Sequence, residues 1–572
     1  MNNVGLTITE GVARGATPYT GPSKRNIGLL GGFIRGAAFT PTKVTSMEDV
    51  NTIFGGLSSS FYGPAIVKSI FDEAGEAKVT LYLARAVSET SQTATGEVSI
   101  GDSSAKMTGT AAYKGNPDPG AWGNKVTLTL YSYGYKVKDA FTLTISYNGG
   151  TPESYSYDTL AKIQDAVNKV SKYATVVFSK EIEKLTFKEI SGTATTTTAS
   201  KEVTGVGTTF TSLKPGNVLY NNANEIVGTI AEIKSDTSIL LTSKAFVAVA
   251  AGTIKARDDK EFSVTLAKGV DGELSESDFY PGGDSINATG IKCFDGYDVQ
   301  ILGVTEFHSL SMAKVLNQYL QEVKGPVGII NLPLNADEGT AELYALELQT
   351  NGISYMAGAY MGWAKVPDEN GDAILIPVMG PVLGAAYIRT PYIQGDFIHI
   401  PPGGSDSIFN NVLDMVPQRL SQTVINKLVQ QYSCNVIQYV ERLGFYVGSS
   451  RTYSTNSLYS SIHVRLQTSY YRQSLNAKLR FAEQKPNTPE LKREILVECS
   501  TFFKTEYDNG ALERSVPFDT AYTGICDKSN NPVTQDRKLL NVDILWIPTE
   551  CTESIHLSLQ RNDGVLTTNE EE

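Results

Sequence analysis

The chain has 572 residues, 41% hydrophobic and 19% charged, with a formal net charge of -12. That length is too great for one hydrophobic core and predicts about three to five domains. The acidic balance argues against general affinity for nucleic acid or anionic lipid, both of which need a basic field, and no apolar run approaches the ~18 residues of a membrane-spanning helix. The first residues lack a charged-then-apolar leader, so the chain is expected to be made and kept in the cytoplasm. Cys293, Cys434, Cys499, Cys526 and Cys551 are odd in number and contain no CxxC pair; they read as reduced buried thiols rather than disulfides or metal ligands.

Near the start, Val4, Leu6 and Ile8 alternate with Gly5, Thr7 and Thr9, which predicts a strand. The Gly-rich stretch 11–21 then sets it apart as an arm, residues 1–24. From 25 to 87 the pattern is strand, loop, helix, strand: an apolar strand at 26–30, a helix at 63–72 with Ala65, Ile66, Ile70 and Phe71 at helical spacing, and a strand at 79–84. Residues 88–192 with 257–268 turn rich in Thr, Ser, Gly and Tyr and predict an inserted β-rich domain, with strands at 127–133 and 141–147 and one helix at 159–171. Within it, 193–256 sets short strands between strong turn signals, with NNAN at 221–224 as a hairpin loop; a small β-barrel-like module and a longer arm of the same β domain both fit.

The α/β signal returns over 269–390, with strands at 299–304 and 327–331 and helices at 311–323 and 337–348. This segment is expected to complete the sheet begun by 25–87, giving one discontinuous α/β domain. Residues 391–550 read as a C-terminal α/β domain. Pro417 fits the first turn of a helix striped by Leu420, Val424, Leu428 and Tyr432. A second helix is expected at 456–480 with Leu458, Ile462 and Leu466 on one face. A third has Thr488 as N-cap, Pro489 at its first position, Glu490 at its positive end and Gly510 beyond its last turn, with the stripe Leu491, Ile495, Cys499 and Phe502. Leu540, Val542, Ile544 and Trp546 then share one face of a strand, and Ile555, Leu557 and Leu559 share a face of another in the terminal segment 551–572.

Catalytic and metal signatures do not stand out. His308, His399, His463 and His556 are far apart, none in HExxH, and no GxSxG elbow or Walker A loop occurs. Gly28, Gly31, Gly32 and Gly36 follow a strand but lack the G-x-G-x-x-G spacing of a dinucleotide site, so they predict tight packing of a turn against the sheet. Neither enzyme activity nor a cofactor nor a metal is expected. Pro401–Pro402 with Gly403–Gly404 reads as a hinge between domains or as a simple rigid loop.

In order and spacing, several blocks resemble the tail sheath proteins of contractile phages and related contractile injection systems. They are NIGLLGGFIRGAAFTPTKVTSMEDVNTIFG from Asn26, VTLYLARAV from Val79, PGAWGNKVTLTL from Pro119, AKGVDG from Ala267, GPVLGAAYIRT from Gly380, and CDKSNNPVTQDRKLLNVDILWIPTECTESIHLSLQRND from Cys526. The resemblance implies a structural subunit that polymerises helically, in stacked hexameric rings, around an inner tail tube and contracts to drive the tube through the target envelope. It implies the tube, baseplate and tail terminator proteins as partners, a place in the virion tail after assembly in the host cytoplasm, and no direct contact with nucleic acid or membrane. It also implies that strands of adjacent subunits complete one another's sheets, which points to Val4, Leu6, Ile8, Leu540, Val542, Ile544, Trp546, Ile555, Leu557 and Leu559. A non-contractile tail protein or adhesin, and an α/β hydrolase, are the other classes compatible with the residues.

Charge adds one more feature. No Asp or Glu occurs from Leu443 through Ala482, yet Arg451, Arg465, Arg472, Lys478 and Arg480 lie there. Arg465 and Arg472, two helical turns apart, are expected on one face. A solvated face or pairing within the chain is one reading; the resemblance implies the other, in which Arg465, Arg472, Lys478 and Arg480 face an acidic tube.

Overall fold

A computed structural model describes residues 24–100, 105–132, 140–182, 187–284, 286–532, 534 and 538–552 of the chain. Its centre is a five-stranded sheet ordered Thr42–Val44, Leu81–Arg85, Ile27–Gly31, Ile301–Val304, Val327–Ile329. The last four strands are parallel, with Ile27 beside both Leu81 and Ile301, and the Thr42–Val44 edge is antiparallel. All residues of Ile27–Gly31 and Ile301–Val304 are buried, as continuous apolar runs covered on both faces must be. One sheet therefore joins segments more than 200 residues apart, because each parallel neighbour needs a crossover.

The first crossover holds two helices, Met47–Phe54 and Gly63–Ala74, where the sequence pattern indicated one. The Met47–Phe54 helix is capped by Ser46, whose side chain accepts from Asp49 N, and ends at Gly55 with φ +94; it buries only Val50 and Phe54, too short a stripe to show as a period. A Cβ on Gly28, Gly31 or Gly32 would stand 2.9, 2.3 or 2.4 Å from Val299, Thr305 or Phe61, so these glycines do pack a turn closely against the sheet.

The block GPVLGAAYIRT forms a continuous helical run, Met379–Val382, then a π-helical Leu383–Arg389, then Thr390–Ile393. Gly380 and Gly384 let it lie directly on the Gly63–Ala74 helix: their Cβ positions are 3.2 Å from Ile66 O and 2.5 Å from Ile70 O. At its end Arg389 Nη1 lies 3.2 Å from Glu73 Oε2 and donates to Glu73 O. Glu73 is fully buried and also accepts from Asn410 N and Asn411 N at 2.8 and 2.7 Å. Burial raises its pKa while these donors pull the other way.

The inserted region has two four-stranded antiparallel sheets, one built on Thr95–Ile100, Ala105–Tyr113 and Ala174–Phe178 with the short Asn116–Pro117 beside the end of Ala105–Tyr113, the other on Val126–Tyr131, Phe141–Tyr147, Glu153–Tyr157 and Glu261–Thr265; the helix Leu160–Val170 packs into the same core. Strands between Lys188 and Arg257 form a further eight-stranded sheet around their own core of Phe210, Leu219, Val227 and Ile239. NNAN joins Val218–Asn221 to Ile226–Ser235 as a hairpin. A buried cluster ties the insert to the sheet. Arg85 Nη1 meets Asp118 Oδ1 at 2.6 Å, Gly36 N and Trp122 Nε1 also donate to Asp118, and the Arg35 guanidinium lies over Trp122, Tyr147 and Tyr173.

Beyond Pro391 much of the chain packs into the same cores. Ile437, Val447, Ile462 and Leu466 join the cluster under the central sheet, and Ile425, Leu428, Cys434 and Val436 join the cluster on its other side. Pro417 lies outside its expected helix, which spans Gln422–Gln430 after the cap Ser421. Leu458 falls in a separate turn, Ser457–Tyr459, and is 69% exposed, because the following helix begins only at Ile462. The third helix, Pro489–Asp508, has the expected caps and buries Leu491, Ile495, Cys499 and Phe502. All five cysteines remain thiols, four buried and Cys551 half-buried.

Candidate functional site

Two surfaces of the C-terminal part gather the residues singled out by sequence. The first is a two-stranded antiparallel sheet, Tyr522–Ile525 with Asp543–Trp546, in which Tyr522 faces Trp546 and Thr523 faces Leu545. Leu540, Val542, Ile544 and Trp546 all pack against one small core with Tyr471, Ile495, Phe503 and Tyr522. Trp546 anchors the hairpin: its ring meets Tyr471 edge-on at 5.1 Å, a favoured aromatic geometry. Tyr471 is itself fixed, donating to Glu506 Oε2 at 3.2 Å and accepting from Gln467 Nε2 at 2.6 Å, and burial raises the Glu506 pKa. Phe503 stacks on Tyr522 at 4.8 Å.

The hairpin is held to its own body, yet it is incomplete as a sheet. Among the described residues neither strand has a second strand beside it, although the chain just past Trp546 pairs with residues 511–513, Glu513 N donating to Ile547 O; along Tyr522–Ile525 and Asp543–Trp546 the outer edges are where a further strand can pair. On the face turned away from the core, Leu539, Leu545 and Ile547 are 55%, 56% and 42% exposed. Val4, Leu6, Ile8, Ile555, Leu557 and Leu559 lie outside the described residues.

The second surface is the helix Ile462–Lys478 and the turn Leu479–Ala482. Arg465 and Arg472 do not share an environment. Arg465 is 9% exposed, lies 4.8 Å from the Tyr355 ring and reaches Ser469 Oγ at 3.4 Å; burial lowers its pKa. Arg472 and Arg480 are exposed and Lys478 is half-buried. The difference arises because the first half of the helix is packed on all sides: His463, Gln467 and Ser469 are fully buried, and Ser469 Oγ donates to Gly325 O at 2.9 Å. Sequence reasoning missed Tyr471, Glu506 and Tyr522 as the support of Trp546; the aromatic pairs Tyr470–Tyr471 and Phe502–Phe503 were the available signal.

Among the described residues no group of three His, Cys, Asp or Glu side chains is placed to hold a metal, and no helix is long and apolar enough to cross a membrane.

No family model and no curated protein matches the sequence. Among solved structures, a sheath tail protein from Listeria innocua superposes with a TM-score of 0.51 at 12% identity, over 91% of this chain and 95% of that one. In fold the chain is similar to a sheath tail protein. A sheath tail protein from Desulfitobacterium hafniense gives a TM-score of 0.48 at 13% identity over 95% of this chain and all of that one. The contracted sheath of an extracellular contractile injection system gives 0.37 at 17% identity, over 46% of this chain and 71% of that one.

Proposed function

We propose that the chain is the structural subunit of a contractile tail sheath, polymerising helically around an inner tail tube and contracting to drive that tube through an envelope. The observation that carries this reading is the terminal hairpin: a two-stranded sheet fixed to its body by Trp546 while both edges stay open among the described residues. Strand addition uses such edges, with backbone hydrogen bonds giving affinity and alternate side chains giving fit. Support comes also from the sheath-like fold and from the alternating segments at both ends of the chain.

The hairpin strand bearing Ile544 and Trp546 acts as acceptor in this reading, since its apolar face is already committed to its own core. The donors are the segments with Val4, Leu6, Ile8 and with Ile555, Leu557, Leu559. Three buried apolar side chains at ~1.5–3 kcal/mol each and about four hydrogen bonds at ~1 kcal/mol each stand against ordering six backbone units at ~1–2 kcal/mol each. The near-cancellation means a donor strand locks only onto an acceptor fixed in advance. Arg472, Lys478 and Arg480 form the tube-facing surface; the burial of Arg465 takes it out of that contact. Subunits move as near-rigid bodies between two packings while strand links persist, and the extended state is kinetically trapped. Baseplate and terminator proteins bound the polymer at its ends, in a tail assembled in the host cytoplasm. Deletion of residues 1–13 should leave a folded monomer that forms no tubes by electron microscopy; tubes of normal appearance would defeat the reading.

A further inference from the structure

The first two described residues, Lys24 and Arg25, both end on one carboxylate. Arg25 Nη1 donates to Asp396 Oδ1 at 2.8 Å, and Lys24 Nζ lies 3.5 Å from Asp396 Oδ2. Backbone oxygens complete the site: Lys24 Nζ donates to Asp396 O at 2.6 Å, and Arg25 Nη2 donates to Phe397 O. The turn is shaped for this. Gly395 and Asp396 take φ +90 and +57, a region Asp tolerates better than most residues, and Asp396 N donates to Pro391 O at 2.7 Å.

Two features make this more than a surface ion pair. The Arg25 side chain is only 9% exposed while Asp396 is 62% exposed, so loss of the carboxylate leaves a buried guanidinium with a carbonyl as its remaining partner in this turn. Further cations lie nearby: His399, stacked on Phe397 at 5.5 Å, feels Arg25, Arg514 and Lys24, and burial above all keeps its pKa low. Glu506, the carboxylate that fixes Tyr471 under Trp546, feels Lys24 in turn. The root of the N-terminal segment therefore sits beside the elements that hold the terminal hairpin.

We propose that the turn at Asp396 is an anchor that fixes the exit of the N-terminal segment from the body, with Asp396 as the positioning residue and residues 24–25 as the point it holds. Its role in assembly rests on the arm being lent to a neighbouring copy; the anchoring itself does not.

Lys24 and Arg25 are also trypsin sites, which gives a direct test on the free, full-length subunit under native conditions, read by mass spectrometry. Asp396→Asn removes the charge and keeps a side chain suited to the turn. Cleavage after Lys24 and Arg25 should be about tenfold faster in this variant than in the unmodified chain, at a temperature well below the melting transition of both. Arg25→Gln, which leaves Lys24 as the cleavage site there, should accelerate cutting equally and decides the matter if the first variant does not fold. Equal cleavage rates in variants and unmodified chain would overturn the anchor, whatever the fate of the tube-forming test, because no assembly is needed to measure them.

Discussion

His308 and His463 carry no ligand spacing in sequence, and in the fold each is a buried base. Burial pushes both imidazoles down to about 4 from the ordinary 6.5. His308 meets the Trp363 ring edge-on at 6.0 Å, and His463 Nε2 lies 3.2 Å from Thr549 O, close to the terminal hairpin. A histidine whose folded value is depressed binds protons more readily when unfolded, so its stability contribution is full above about pH 6.5 and is lost as pH falls toward 4. At 1.36 kcal/mol per pH unit the loss is about 3 kcal/mol for each such group. Buried Glu73 and half-buried Glu306, whose values desolvation raises, act in the opposite sense over the acid range. The difference between chains isolates the histidine: the drop in melting temperature from pH 7 to pH 4.5 should be smaller in His308→Phe than in the unmodified chain, and an identical drop would show that this ring does not titrate on unfolding.

At the scale of elements, glycine lets two helices lie directly on one another. A methyl group on Gly384 would stand 2.5 Å from Ile70 O and 2.7 Å from Glu73 Cβ, and backbone cannot yield as a flexible side chain does. Gly384→Ala should therefore cost ~1–3 kcal/mol, read as a lower denaturation midpoint. Gly339→Ala, in a helix where the nearest atom is Asp337 Oδ1 at 3.5 Å, should be neutral or stabilise by up to ~1 kcal/mol. Equal effects at both positions would mean that the helices do not pack as described. Local punctuation made the Pro489–Asp508 helix legible residue by residue, since Thr488, Pro489 and Gly510 act within one turn of their own positions. The Met47–Phe54 helix was not legible, and Leu458 was misread, because an apolar residue near a helix start matches its period whether or not the chain is helical there.

At the scale of the whole molecule, function under the proposed reading depends on contacts that are weak singly and repeated along a polymer. Exposed cations such as Arg472 and Arg480 contribute about 0–1 kcal/mol each to an ionic contact, screened by salt over a Debye length of ~8 Å at physiological ionic strength. The double substitution Arg472→Glu with Arg480→Glu should reduce binding to purified tube at least tenfold at low salt, with a smaller difference at 1 M salt. Unchanged binding would remove this surface from the tube contact. Arg465→Glu belongs to another class of change: it places a charge in a buried site and should lower stability before any binding is measured. Much of the fold was readable from the chain, including the β-α-β opening, the β-rich excursion and the three C-terminal helices. The candidate site was readable only in outline.

By itself the sequence determined what local periodicity and capping can encode: the long strands and helices, where Gly and Pro end several of them, and that Ile544 and Trp546 share a face. Tertiary structure alone decided which segments become neighbours. It buried Arg465 and left Arg472 in solvent, set the Tyr471–Glu506 support under Trp546, left both edges of the terminal hairpin open among the described residues, and brought Lys24 and Arg25 to Asp396 across more than 370 residues. The reason is physical: period and propensity act over one or two turns of chain, whereas burial and charge environment depend on every element that packs nearby.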